Sequence, residues 1–312
     1  MIVTVTLNPS LDKTLRVTRL ARGELNRAQV VQMDVGGKGF NVSRALLALG
    51  MPSLAIGVMA GGIGQALAHG LAALGIEADL IWVEGETRSN ITLLEAEDGV
   101  YTKINEPGPT LSPEAISEIV RRVEQRARPG DLWVFCGSLP PGAPVDLYAH
   151  LIRRVQDTGA LAALDTSGAP LRAAMAASPF LLKPNVTEAE ELMDRPLPTL
   201  ADQVAAVRCL RAQGIQLVAL TRGREGALLA DGSEMLAVKP PLIALGSPIG
   251  AGDAFLAGLV YAWSQGAHLA DMARWAAACG AAAAAQEGTG VGQRVEVEAL
   301  LSQIHVEKLS NL

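Results

Sequence analysis

The sequence is poor in the residues that build crosslinks and metal clusters. It has three cysteines, Cys136, Cys209 and Cys279, spread far apart, and four equally scattered histidines. A disulfide framework or a Cys/His zinc site needs several such residues at short fixed spacings, so the pattern argues against both and for a reducing, cytoplasmic setting. An oxygen-held Mg²⁺ stays open. Runs of Lys and Arg are missing and the net charge is −6, which argues against an extended nucleic-acid surface but not against a pocket for one small anion. No apolar stretch reaches the ~20 residues of a membrane span. The richest, "AAACGAAAAA" at 276–285, reads as a helix packed closely on its neighbours. The first residues, "MIVTVTLNPS", carry neither a basic region nor a small-residue cleavage site and read as a buried strand. Two familiar phosphate signatures are lacking as well. "GGKGFN" has neither Walker A spacing nor its Ser/Thr, and "GIGQALAHG" has Leu67 where a dinucleotide fingerprint needs its third glycine.

What is present is a core-forming chain. Of 312 residues, 49% are hydrophobic and 19% charged, enough for one large α/β domain. Apolar runs at 2–7, 53–60, 131–137, 161–167, 179–185 and 216–222 read as buried strands. Between them lie helix-periodic stretches, "NVSRALLALG", "IGQALAHGLAALG", "PEAISEIVRRVEQRA", "VDLYAHLIRRVQDTG" and "LADQVAAVRCLRAQG", several closing on Gly. The alternation predicts an α/β fold with a doubly wound, mostly parallel sheet flanked by helices, with ligands at the carboxyl ends of the strands. Two stretches break the rhythm. Residues 14–20 alternate polar and apolar, and residues 87–104 read as a hairpin turning at Asp98–Gly99; a further hairpin is expected at Asp231–Gly232. The first two are assigned to a small separate β layer acting as a lid, drawn from about 12–34 and 86–106, with a pair of decorated edge strands as the alternative.

The strongest chemical signal is "GSPIGAGDAFLAG" at 246–258. Gly250 and Gly252 permit a left-handed turn or close approach to a ligand. The helix that follows points its free N–H groups and positive dipole end at that turn, a ready anion site. Asp253 sits in the same field, which predicts that it stays ionised near neutral pH. A carboxylate beside an anion hole suits proton abstraction from an attacking hydroxyl during phosphoryl transfer. The plain alternative for Asp253 is a helix cap.

Four stretches decide between these. "TLNPSLDKT" (6–14), "GGKGFNVSRALLALG" (36–50), "KPNVTEAEEL" (183–192) and "GAGDAFLAG" (250–258), in this order, resemble the PfkB (ribokinase-like) carbohydrate kinases. "GELNRA", "GETRSN", "INEPGP", "GSLPPG" and "LDTSG" point to their phosphosugar branch, the 1-phosphofructokinases and tagatose-6-phosphate kinases. The resemblance spans nearly the whole chain. It implies a ribokinase-like fold, ATP as donor, Mg²⁺ as cofactor and a homodimer paired through the lids.

The resemblance also implies roles. Asp253 matches the catalytic base, and Gly250, Ala251 and Gly252 the amides that hold the moving phosphoryl group. Asp12, Gly36, Gly37 and Asn41 match the sugar-binding positions, although Asp12 also suits a turn and Asn41 a helix cap. Arg88, Arg27 and Lys38, with Lys103 behind them, are the expected cations for a substrate phosphate. Lys183, Asn185 and Glu188 belong to the element that organises Mg²⁺ and the nucleotide phosphates, in part through water, while Thr187 and Glu190 read as a capping box beside them. Thr221, Gly223 and Gly226 mark the nucleotide-side turn, and Ser138 and Asp165, at strand ends, are weaker candidates. Three departures fall on the nucleotide side: Pro248–Ile249 replaces the usual Thr–Val pair, Ala254 a frequent Ser or Thr, and Arg222 a frequent Leu. The expected activity is ATP-dependent phosphorylation of a ketohexose phosphate, fructose 1-phosphate first, with fructose 6-phosphate and tagatose 6-phosphate behind it. A silent sugar-phosphate sensor and a nucleotide-cofactor oxidoreductase are the readings from other classes.

Overall fold

The computed structural model describes residues 1–309 apart from 98, 245, 248 and 287. Asp98 and Pro248, singled out above, lie outside the described residues. The chain opens with β1 (Ile2–Thr6), which feeds two strands of a small sheet, β2 (Ser10–Val17) and β3 (Gln29–Gly36). Helix α1 (Lys38–Ala48), β4 (Leu54–Met59), α2 (Gly61–Ala73) and β5 (Glu77–Trp82) follow in βαβ rhythm. The chain then returns to the small sheet through β6 (Arg88–Glu95) and β7 (Tyr101–Asn105). A second βα series comprises α3 (Pro113–Arg126), β8 (Leu132–Cys136), α4 (Leu147–Gln156), β9 (Leu161–Asp165), α5 (Gly168–Ala174), β10 (Leu181–Leu182), α6 (Val186–Met193), α7 (Leu200–Ala212) and β11 (Leu217–Thr221). It closes with β12 (Ala227–Ala230), β13 (Met235–Lys239), α8 (Ala251–Ser264), α9 (Leu269–Ala284), α10 (Arg294–Leu301) and β14 (His305–Lys308).

The large sheet has ten strands in the order β14-β13-β12-β11-β10-β9-β8-β1-β4-β5. The seven from β11 to β5 pair in parallel, and β12, β13 and β14 add an antiparallel edge. "IVTVT" explains the centre: β-branched residues fit a pleated surface, and β1 is buried along its whole length because helices cover both faces. Alternation sorts the core. Val3, Val5, Trp133 and Phe135 face the layer of α3, α4 and α7, while Ile2, Leu132 and Val134 face α1, α8 and α9. From β1 the chain winds outward to β4 and β5, then crosses back to β8. The strand order therefore reverses between β1 and β8, and the crevice at their carboxyl ends is where such folds bind ligands.

The small sheet has the order β3-β2-β6-β7, with β2 and β6 parallel. The rhythm-breaking stretches thus form a sheet of their own, not edge strands of the large one. The hairpin expected near Asp231–Gly232 is β12–β13. The alanine-rich stretch lies in α9, and its small side chains let α8 come close. At the crossing a β-carbon on Gly258 would lie 2.5 Å from the Trp275 carbonyl oxygen and 2.8 Å from Cys279 Sγ. Gly258→Val therefore overpacks this seam and is expected to cost about 1–3 kcal/mol, read as a lower urea midpoint at unchanged slope.

Candidate active site

The glycine turn is the N-terminus of α8. Gly250 occupies the N-cap with φ of 80°, a left-handed conformation in which any other residue would be strained. Asp253 is in the first turn of α8, three residues after its glycine N-cap. Its carboxylate, 7% exposed, accepts a 2.8 Å hydrogen bond from Asn41 Nδ2 across a sequence gap of 212 residues. Asn41 is no cap: it lies inside α1, whose N-cap is Gly37, and its side chain is buried.

Beside this pair lies a buried charge cluster. Asp165, at the end of β9 and 1% exposed, has Lys38 Nζ at 2.8 Å from one oxygen and Lys183 Nζ at 3.0 Å from the other. Burial would raise the Asp165 pKa, but Lys183 and Lys38 outweigh it and hold it below the ordinary value. Burial would lower that of Lys38, but Asp165 and then Asp253 hold it above its ordinary value. Asp253 goes the other way. Burial and the charge of Asp165 push it up to about 6, against the pull of Lys38, the Asn41 hydrogen bond and Lys183. Its affinity for a proton is thus raised above that of an exposed carboxylate, because desolvation outweighs the groups that favour the charged form.

A second group sits where the small sheet meets the large one. Asp12 accepts from Ser10 Oγ at 2.7 Å and from Asn90 Nδ2 at 3.0 Å; burial raises its pKa, against those bonds and Arg88. Asp12 is no mere turn residue, since it lies within β2. Gly36 pairs with Ser10 on the neighbouring strand, diagonal to Asp12, and a β-carbon there would come within 2.4 Å of the Asp12 carboxyl. Arg88 donates to the carbonyls of Asn8 at 2.9 Å and Glu106 at 3.2 Å, and its Nε is buried without a hydrogen-bond partner. Burial lowers its pKa, partly offset by Asp12. With Asn8, Ser138 and the Pro140–Pro141 turn, Arg88 lines a cleft of about 470 Å³ at the β1/β8 switch point. Another cleft, about 420 Å³ between α3 and α4, contains none of these residues.

Not every expected residue converges. Lys38, expected on the substrate phosphate, is paired with Asp165. Arg27 is exposed in the β2–β3 connection, and Lys103 is exposed on β7, with its ammonium 5.8 Å from the Tyr101 ring centre. The capping box of α6 also differs from expectation. It joins Asn185 and Glu188, at 2.8 Å in each direction, whereas Glu190 accepts from Leu197 N–H. The helix starts at Val186, two residues earlier than a Thr187 cap requires. Thr221 ends β11 and bridges to Asn185, and Gly223 and Gly226 bracket the turn after it. Arg222 is tied to Gln203 at 2.6 Å and Glu225 at 2.5 Å. Among the described residues no group of three or more His, Cys, Asp or Glu could hold a metal ion. Buried Glu188, whose pKa burial raises, and Asn185 offer hard oxygens near the charge cluster. That set fits an Mg²⁺ that keeps most of its waters and binds chiefly to phosphates. Sequence reading missed Asn8 and Asn90, both inside quoted motifs, and Arg44, inside the first helix.

An α/β fold with these groups gathered at the strand ends defines a phosphotransferase-like site. Comparison with known proteins agrees. The pfkB family carbohydrate kinase profile matches residues 5–295. The chain is 40% identical to a 1-phosphofructokinase of Xanthomonas campestris pv. campestris over 264 residues, 83% of either chain. It is 34% identical to a 1-phosphofructokinase of Rhodobacter capsulatus over 309 residues, 99% of this chain and 98% of that one. The crystal structure of Escherichia coli phosphofructokinase-2 with substrates and products superposes with a TM-score of 0.92 at 28% identity, covering 97% of this chain and 98% of that one. The chain belongs to the PfkB family of carbohydrate kinases.

Were Asp253 the base that the family resemblance implies, its pKa of about 6 would set the sign of the pH dependence. Below that value Asp253 is protonated and cannot accept the hydroxyl proton, so kcat/KM is expected to fall with an acid limb centred near pH 6. Lys38→Met removes a cation that favours the ionised form, and should move that limb upward by on the order of one pH unit.

Proposed function

We propose that the protein transfers the γ-phosphoryl group of ATP to the free 6-hydroxyl of fructose 1-phosphate, giving fructose 1,6-bisphosphate and ADP. The observation that carries this reading is Asp253: a buried carboxylate, held by Asn41, at the mouth of a glycine-capped helix. It takes the hydroxyl proton as the oxygen attacks phosphorus and the bond to ADP breaks. The N–H groups of Gly250, Ala251 and Gly252 receive the charge that builds on the transferring group. Lys38 and Lys183, fixed on Asp165, add positive charge beside it. Asp12 accepts from sugar hydroxyls, and Gly36, Gly37 and Asn41 let the sugar approach. Arg88 and Ser138 form the cleft end where the substrate phosphate binds, with Arg27 and Lys103 reaching it only if the small sheet moves over the sugar as a lid. Thr221, Gly223 and Gly226 meet the nucleotide. Asn185 and Glu188 would hold Mg²⁺ through water; when bound, the ion neutralises charge on the ATP phosphates.

Two close relatives in sequence carry the name 1-phosphofructokinase, which favours fructose 1-phosphate over fructose 6-phosphate or tagatose 6-phosphate. Coupled ADP release over these three sugars, ribose and adenosine tests this. The highest kcat/KM is expected with fructose 1-phosphate, and Asp253→Asn should lose at least ~10²–10⁴ of it. Near-normal turnover of that variant would remove the assignment, and absence of ADP release with every sugar would favour a sensor.

The same reading places the protein in the cytoplasm, with three free thiols, and pairs two copies through the small sheets. Its register puts Met33, Ile91 and Ile104 on one face, with Val30 and Leu93 beside them, and Met33, Ile104 and Val30 are exposed. Met33→Asp should shift sedimentation at micromolar concentration from dimer to monomer; an unshifted dimer would show that the copies meet elsewhere.

A further inference from the structure

The Asn41 amide that touches Asp253 is itself held. Arg44, one turn further along α1, has Nη1 3.2 Å from Asn41 Oδ1, 3.3 Å from Thr289 Oγ1 and 3.4 Å from the Val35 carbonyl oxygen. A guanidinium only donates, so it can meet Asn41 only through the amide oxygen. The amide nitrogen is thereby left to face Asp253, to which it donates. The seat of Arg44 has three origins: α1 itself, β3 of the small sheet, and the loop after α9. Asp34 of β3 joins the last two, since its carboxylate accepts from Thr289 N–H at 3.3 Å and from Gln32 Nε2. Thr289 is buried, and Arg44 is buried enough to lower its pKa, with Asp34 and Asp12 opposing that.

We propose that Arg44 is a positioning residue for phosphoryl transfer: through Asn41 it fixes the amide nitrogen toward Asp253, and its seat is complete only when the small sheet and the loop after α9 are both in place. The inference rests on the reading of Asp253 as the base. Without Arg44 the amide is free to turn over and present its oxygen to the carboxylate. That arrangement is favourable only when Asp253 carries a proton, so its proton affinity rises. The other groups facing Asp253 are Asp165 from β9, Lys38 from α1, Lys183 from the end of β10 and the Cys136 thiol at the end of β8, and all remain when Arg44 is replaced.

The test compares pH profiles of kcat/KM for the full-length protein and for Arg44→Met, Arg44→Lys, Asn41→Ala and the Asn41→Ala/Arg44→Met double variant, with thermal melts of each. Arg44→Met is expected to move the acid limb up by about one pH unit, roughly a tenfold loss on that limb, with kcat falling more than KM rises. Arg44→Lys should recover part of the shift, and in the Asn41→Ala background Arg44→Met should add none. A lowered but unshifted profile, or the same shift without Asn41, overturns the proposal. Should Arg44→Met not fold, an unshifted Arg44→Lys profile overturns it and an intermediate shift supports it. If Asp253→Asn keeps its turnover, the base assignment fails; if it is inactive while Arg44→Met leaves the limb in place, only the role of Arg44 falls.

Discussion

The architecture of the site depends on one buried carboxylate shared by two ammonium groups. Asp165 is nearly inaccessible, and Lys38 and Lys183 meet its two oxygens from either side in sequence, 127 residues before it and 18 after it. Desolvating Asp165 and Lys183 is costly, and removing one partner from such a buried pair typically costs about 3–5 kcal/mol, whereas Lys38, with 38% of its side chain exposed, keeps part of its hydration. A hydrophobic substitute would serve stability as well or better. The arrangement makes sense as a device that keeps positive charge fixed beside Asp253, where the proposed reading has the charge of a moving phosphoryl group build up. Because Asp165 absorbs part of that charge, the lysines are held in place before any ligand arrives, and reorganisation during the reaction is small.

The topology explains why these groups meet. Asn8 and Ser10 follow β1, Ser138 follows β8, Asp165 ends β9 and Lys183 follows β10, so adjacent parallel strands deliver their terminal residues to one edge of the sheet. Helices α1 and α8 pack on the same face and bring Asn41 and Asp253 together over that edge. Tyr148, packed edge-on against Phe135, donates to the carbonyls of Cys136 and Gly137 and so anchors the end of β8 beside the cleft. The core and the site are thus one construction: the aromatic layer under the sheet fixes the strand ends from which the site is built.

Much of this was legible in the sequence because the signals are local. Apolar runs gave six of the seven parallel strands but not β5, whose burial alternates; 3.6-residue periodicity gave α1 to α4 and α7, and the break in rhythm gave the separate small sheet. The glycine turn could be read because φ above zero and a free helix end are properties of a few adjacent residues. What could not be read is long-range pairing. Lys38 looks like a free cation until Asp165 is placed beside it, and Arg44 looks like one more arginine on a helix until Thr289 and Val35 arrive from elsewhere. The capping box failed for a different reason. "NVTEAEE" contains two overlapping N-to-N3 patterns, Asn185 to Glu188 and Thr187 to Glu190, and only the point where the chain leaves β10 decides between them. β14 escaped because four residues with two charges, "HVEK", carry little hydrophobic alternation; its place is fixed by pairing with β13.

The same logic bears on the departures from the family pattern. Arg222 stands where the family pattern has an apolar residue, in the turn that the proposed reading gives to the nucleotide, and a free guanidinium there would add charge next to Asn185 and Thr221. The structure disposes of it by binding it to Gln203 of α7 and Glu225 of its own turn, so the substitution is neutralised within the turn and its charge is directed to α7. Ala254 is buried on α8 among apolar neighbours, a position where a hydroxyl would need a partner of its own. Described departures on the nucleotide side are therefore accommodated by local packing, while the Asp253–Asn41 contact and the Asp165 cluster are built from residues that match the family motifs. A chain can vary at the rim of such a site more readily than at its buried charges, because a rim residue needs one neighbour to change and a buried charge needs all of its partners at once.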